Sequence, residues 1–453
     1  MNREPAKLRP KRVAPGSADS GIATLTMVMV LFFVMAMVAA YTNRNLLYEQ
    51  RMSINNFRAT AAVSAADAGI DWTIAMLSGA RVDSNCAAPV APAAGDIDFR
   101  SRYTILKDDG TYTFPKWGGG TGTLFSPICV LGNAGWNCKC PDLATPLPAI
   151  AVPANSAPMF AVEVSGGGAP GVLTVDVRGS HEASREAAFG SFGNYNRVQV
   201  KLALVRALPN PPVAALTVGG TVDMTAAGLK LAVANTDPTT GVTVHSGGAL
   251  TANAVGALLE TGPAGSGSTL VASADGTLAN LAAVPVVVPT PKASEDPPAA
   301  VGVFQSVFGM DAATHARQPS AVFIDCTAGC TSADISTPVA NNPGRIIWVD
   351  GDLTLDSAAT LGSAGQPLML IATRDLTLAA AVTLNGFVYS GRNVSWTAAA
   401  AGSVAQGALV AGGNFTGASD VTVAYDADML KKISLSYGSF VRIPGSWQVI
   451  PLK

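Results

Sequence analysis

The run Ile22–Asn43, IATLTMVMVLFFVMAMVAAYTN, contains no charged residue. Its first ~20 residues are enough to cross a bilayer as a helix. Arg3, Lys7, Arg9, Lys11 and Arg12 precede it, which fits a cytoplasmic N-terminus under the positive-inside rule. No later apolar run approaches this length, so a single crossing is expected. A secretory signal would have a shorter apolar core and a small-residue cut site, for which Val38-Ala39-Ala40 is the candidate. A plain anchor would give way to a flexible stretch. From Arg44 to Leu77, however, there is no proline, and Gly69 is the only glycine. Leu46, Leu47, Ile54, Phe57, Ala61, Ala65, Ala68 and Trp72 recur at helical spacing, and Ser78-Gly79 supplies a stop. The spacing predicts one helix from Ile22 to Leu77, about 85 Å long at 1.5 Å per residue.

A basic leader ending in Gly21, an apolar run opening at once with IATL, and an amphipathic continuation containing AAVSAADAGI resemble the type IV pilins, and most closely the PilX-type minor pilins. The resemblance implies cleavage after Gly21 by the prepilin peptidase and methylation of the new N-terminus at Ile22. Removing the cations leaves an apolar helix that can leave lipid and pack into a filament core. Ala23, Leu25, Thr26, Leu31, Phe32, Phe33, Ala36, Ala39 and Ala40 form its candidate filament-core or membrane face, and the alanines permit close helix approach. The family usually carries Glu at the fifth mature position, where this chain has Thr26. An intramembrane carboxylate costs about 2.5–3.5 kcal/mol and persists only with a partner. Its absence resembles tip subunits, which have no subunit ahead of them. The partners implied are other minor pilins, the major pilin, a large pilus-tip adhesin, the prepilin peptidase and, before assembly, the inner membrane. The body is expected in the periplasm and then on the cell surface as part of the pilus.

Only 13% of the 453 residues are charged, while glycine and proline number 46 and 29. Low charge with frequent turns favours a β-rich, extracytoplasmic body. Residues 1–21 carry a net +3, which leaves −5 on the rest of a chain whose total is −2. Nucleic-acid binding needs clustered cations, so it is not expected. Outside the cytoplasm the six cysteines read as disulfides. Cys326 and Cys330 close a short loop, while Cys86, Cys129, Cys138 and Cys140 pair among themselves. Cys138 and Cys140 are too close to bridge each other comfortably, so each has Cys86 or Cys129 as partner. A four-thiolate zinc site is the rival, although the spacing is not that of two CxxC knuckles.

The expected fold class is α+β: a leader (1–21), a transmembrane and amphipathic pilin helix (22–80), a pilin-like α/β globular region (81–208) and a β-rich parallel solenoid (209–453). Strands are predicted at Arg102–Leu106, Met159–Val164, Val172–Val177 and, most clearly, in RVQVKLALV. There Val198, Val200, Leu202 and Leu204 alternate with Gln199, Lys201 and Ala203. Pro209-Asn210-Pro211-Pro212 marks a boundary. Beyond it a loose repeat appears in Gly351-Asp352-Leu353-Thr354, Arg374-Asp375-Leu376-Thr377, Arg392-Asn393-Val394-Ser395 and Gly413-Asn414-Phe415-Thr416. Its second residues lie 23, 18 and 21 positions apart. Gly219-Gly220-Thr221-Val222 and Gly247-Gly248-Ala249-Leu250 echo it upstream. A period of about 20 residues suggests a parallel β-solenoid, and a Greek-key sandwich is the alternative. The proline-rich segment 284–298 separates two such stretches, with a short helix expected around Val301–Phe308. The C-terminal region from Tyr425 to Trp447 also resembles the PilX type, with Trp447 expected to cap the apolar end of the stack.

No catalytic constellation, metal site or cofactor motif is legible. Gly166–Gly171 matches GxGxxG in form but lies between strand candidates and reads as a hairpin loop. Lys107-Asp108-Asp109-Gly110 reads as a turn, and no calcium loop is apparent. His181, His245 and His315 stand far apart and read as surface or turn residues. Asp350, Asp352 and Asp356 are the only local carboxylates for a carbohydrate-active enzyme, and paired acid and base roles are not evident. The expected function is structural: a minor pilin at or near the pilus tip. The alternatives are a membrane-anchored adhesin or carbohydrate-binding solenoid, and a secretion-system pseudopilin.

Overall fold

A computed structural model describes residues 20–79, 81–83, 86, 97–114, 127–140, 157–181, 195–225, 230–252, 258–263, 271–283 and 302–450. The leader through Asp19 and the proline-rich segment 284–298 lie outside these residues. Helix α1, Ser20–Leu77, runs for 58 residues without a break. Contacts divide the chain at Thr60/Ala61 into two units.

In the first unit the helix carries apolar side chains on every side from Leu25 to Met35. Leu25, Met27, Val28, Met29, Val30, Leu31, Phe32, Phe33, Val34 and Met35 are each more than half exposed. The polar side chains among them bond locally. The Thr42 hydroxyl donates to the carbonyls of Val38 and Ala39 at 2.9 and 3.0 Å, and Thr60 donates to Asn56 at 2.9 Å. Helices apolar all round are stable in lipid or among other helices.

In the second unit, residues 61–77 of α1 lie on an antiparallel sheet. Its strands in chain order are β1 (Ile128–Gly132), β2 (Gly135–Lys139), β3 (Met159–Gly166), β4 (Val172–Ser180) and β5 (Asn196–Arg206). Each of these pairs with its neighbour in the spatial order β5-β4-β3-β1-β2. The expected alternation holds: Val198, Val200 and Leu202 are fully buried with Phe160, Val162, Val175 and Val177 against Ala66 and Ile70 of the helix. Residues 167–171 make the β3–β4 turn, where the glycine-rich motif sits. The strand predicted at Arg102–Leu106 is corrected. Asp98 accepts from the Ser101 amide at 2.8 Å and caps a short helix, α2 (Phe99–Tyr103), which leaves only Ile105–Leu106 extended.

From Ala214 the strands pair in parallel. Three columns of apolar residues stack in register, one strand spacing (about 4.8 Å) apart. One column runs Val322, Ile347, Leu370, Val388, Leu409, Leu216, Val244, Val271. A second runs Leu353, Leu376, Val394, Phe415, Val222, Leu250. The third runs Leu361, Leu384, Ala405, Val423, Val233. The strand order is displaced relative to the chain. The rungs of 214–272 stack beyond 403–425, so both stretches make one 17-stranded sheet set. The repeat's second residues form a ladder. Asp352 accepts from the Asp375 amide at 3.0 Å, Asp375 from Asn393 at 2.9 Å, Asn393 from Asn414 at 2.9 Å, and Asn414 from Thr221 at 2.9 Å. Each rung thus satisfies a corner amide of the next.

One outer face of the stack is itself buried. Trp348, Ile371, Phe387, Tyr389 and Val410 pack under α4 (Val303–Phe308), α5 (Ala312–Ala316) and α7 (Ala427–Ser436) after α3 (Gly276–Ala283) adds Leu278. Leu368–Ala372 is therefore buried on both sides, as parallel strands covered by helices are. Helix α6 (Ser332–Asn341) packs against the outermost rung, Ala321–Thr331. Two sequence expectations change here. His315 is fully buried, its ring 4.6 Å from Phe308 and 5.8 Å from Trp348, with Nε2 bonded to the Ala207 carbonyl at 2.9 Å. The helices that roof this face bring it inside. Trp447 does not cap the stack: it is 47% exposed, in the bulge between Gly438–Arg442 and Gln448–Ile450. Both of those strands return to the antiparallel sheet alongside β5.

Burial pushes the His315 imidazole down from 6.5 to about 4, with the Ala207 carbonyl opposing the shift. The unfolded chain therefore takes up this proton first as pH falls. The stability that His315 contributes is complete above pH 6.5 and disappears between 6.5 and 4, by about 3 kcal/mol in all. Unfolding midpoints in guanidinium at pH 4 to 7 should show this slope in the native chain and lose it in His315→Phe.

Candidate functional site: the apolar helix and its seat

Gly21 and Ile22 fall in the first turn of α1, which starts at Ser20. Leu25, Leu31, Phe32 and Phe33 are 62%, 56%, 74% and 62% exposed. Ala36, Ala39 and Ala40 are also exposed along the same helix. Among the described residues, α1 is the one helix long and apolar enough to cross a membrane. Exposed apolar residues continue past the length of a bilayer span, through Leu46, Leu47, Met52, Ile54 and Phe57. Lipid alone would not cover all of them, whereas neighbouring helices would.

Residues 20–71 match the PilX N-terminal family. The match and the apolar helix support a type IV pilin-like protein, and that family is structural and non-enzymatic. No curated protein and no solved structure matches the chain.

Helix α1 is seated by contacts that its own sequence does not announce. Ala62 and Ala66 meet Gly179 of β4, where a Cβ would stand 2.1 Å from the Ala62 carbonyl oxygen. Trp72 packs edge-on to Phe99 with centroids 5.8 Å apart, and 6.1 Å from Phe160. At the end of α1 the last carbonyls need donors. The buried Arg100 guanidinium provides them, donating through Nε to the Leu77 carbonyl at 2.9 Å and through Nη2 to that of Gly438 at 2.9 Å. Its Nη1 reaches the Ser436 carbonyl at the end of α7. Arg442 bridges Asp67 at 3.0 Å and Asp71 at 2.7 Å, two carboxylates one helical turn apart. The Phe440 amide donates to Ser78 Oγ at 3.1 Å. Burial raises the Asp98 carboxyl above its ordinary range, against the opposing pull of Arg100 and Arg345.

The cysteines close three bridges: Cys86–Cys140, Cys129–Cys138 across β1 and β2, and Cys326–Cys330. The zinc alternative loses its ligands, since all six thiols are consumed. Asp350, Asp352 and Asp356 do three separate jobs. Asp350 Oδ1 accepts from Thr373 Oγ1 at 3.2 Å, Asp352 belongs to the corner ladder, and Asp356 accepts from the Ser332 amide at 3.3 Å. His245 bonds Asp275 at 2.9 Å beside the start of α3. The seat residues Arg100, Asp67, Asp71 and Arg442 were missed in the sequence. The i, i+4 acidic pair is their one local signal.

Proposed function

We propose that this chain is a PilX-type minor pilin, cut between Gly21 and Ile22 by the prepilin peptidase and placed at or near the tip of a type IV pilus. There it helps initiate assembly with other minor pilins, the major pilin and a large tip adhesin. The observation that carries the reading is the unbroken α1 helix, with exposed apolar side chains on every side from Leu25 to Tyr41. Its N-terminus faces the cytoplasm before assembly, the body is periplasmic, and the helix later exchanges lipid for sister helices. Thr26 in place of a carboxylate suits a subunit with no neighbour ahead of it. We read the parallel stack as a β-solenoid displayed outward from the filament and the antiparallel sheet with residues 61–77 as its pilin-like base. The in-register columns and the corner ladder support the first reading.

Gly21→Phe should leave the full-length precursor in the membrane and reduce pilus number. Peptide mass mapping of the native protein should find a methylated Ile22 as first residue. A native N-terminus at Tyr41, or normal pili from the uncut variant, would overturn the assignment.

A further inference from the structure

The body ends its path by returning across more than 300 residues to the base of α1. Helix α7 stops at Ser436, and Gly438–Arg442 then lies antiparallel along β5, opposite Arg206 to Leu202. Beyond the sheet and the Trp72–Phe99 contact, the last turns of α1 are held by this segment and by Arg100, which also grips it. Phe440 is 1% exposed and fills the core beneath the helix, its ring 5.0 Å from the Arg100 guanidinium. Its amide takes the Ser78 hydroxyl, Arg442 takes Asp67 and Asp71, and Gly438 shares Arg100 with Leu77. The same segment is tied to the stack, because Ser439 Oγ accepts from the Ser320 amide at 3.1 Å.

We propose that residues 437–450 are a strap that closes over the base of α1 and joins it to both the antiparallel sheet and the parallel stack, so that the helix is held rigidly only in a chain whose C-terminal segment has folded. The physical ground is that Phe440, its amide on Ser78 and the Arg442 guanidinium on Asp71 reach the helix from residues far away in the chain, while Arg100, the donor to Leu77, is itself held by the Gly438 carbonyl. With the strap open, Arg100 loses the Gly438 carbonyl, Phe440 leaves a core gap, and Asp67 faces Asp71 without a cation. Residues 61–77 then keep only their contacts with the sheet and with α2. On the pilin reading, on which this consequence alone rests, a chain lacking the strap would offer the filament a helix loosely attached to its body.

Hydrogen exchange on the full chain in detergent micelles tests the strap without reference to pilus assembly. At Gly438 a Cβ would stand 2.1 Å from the Val205 carbonyl oxygen, so Gly438→Ala should unseat the strap. Amides of 61–78 should then exchange at least about tenfold faster, while those of Ile346–Ala372 keep their protection. Arg442→Glu should show the same pattern more weakly, and adding Asp67→Lys with Asp71→Lys should restore protection. The proposal is overturned if 61–78 stays protected while 438–450 exchanges freely. It is equally overturned if protection falls by the same factor throughout the body. Failure of Gly21 processing would leave these outcomes unaffected, so the two readings are judged separately.

Discussion

Alanine at Gly386 should force two rungs of the parallel stack apart. Gly386 has φ +150°, and a Cβ there would lie 1.9 Å from the Leu368 carbonyl oxygen and 2.5 Å from the Leu368 amide nitrogen. Both obstacles are backbone atoms of the adjacent rung and cannot rotate away. The strand Val382–Ser390 also pairs on its other side with Ser403–Ala411, so a shift disturbs two ladders at once. The expected loss is about 4–5 kcal/mol, a large part of the stability of an ordinary domain. Guanidinium unfolding followed through the buried Trp348 and Trp396 measures it. Gly365→Ala is the control: its Cβ would meet only Ser363 Oγ at 3.9 Å, and the change should stay within ~0.5 kcal/mol. A loss below about 1 kcal/mol for Gly386→Ala would show that the corner has room the geometry denies.

Gly179→Ala should lift α1 from the sheet. The added methyl would stand 2.1 Å from the Ala62 carbonyl oxygen and 2.4 Å from the Ala66 amide nitrogen. Those atoms lie in an unbroken helix, so relief requires the helix to move as a unit. Moving it opens the packing of Ala66 and Ile70 against Phe160 and Val177 and separates Trp72 from Phe160 and Phe99. Roughly 100-fold faster exchange over residues 61–77 is expected. The amides of Ile346–Ala372, which lie in the parallel stack, should be unchanged. Unaltered exchange over 61–77 would mean that the helix does not depend on this close approach.

Much of the architecture follows from local pattern. The α1 span, the alternation of Val198, Val200 and Leu202, and the register of the Asp352–Asp375–Asn393–Asn414 repeat each depend on residues near in sequence. They appear in the structure at those positions. The repeat was legible because a strand-spaced ladder needs the same side-chain chemistry at the same corner of each rung. Arg102–Leu106 misled because a cap at Asp98 and the buried demand on Arg100 outweigh strand preference in so short a segment.

Sequence alone determined that this chain carries an apolar run of bilayer length continued by an amphipathic helix, and a body of short strands in repeating register. Periodicity and charge are properties of neighbouring residues, and they can be read one stretch at a time. Only the tertiary structure decided that residues 214–272 stack beyond 403–425, that His315 lies under a helical roof, and that the C-terminal strands return to the base of α1. Those arrangements join residues far apart in the chain, where loop closure leaves no local pattern and the partner is selected by packing and by the need to satisfy buried backbone groups.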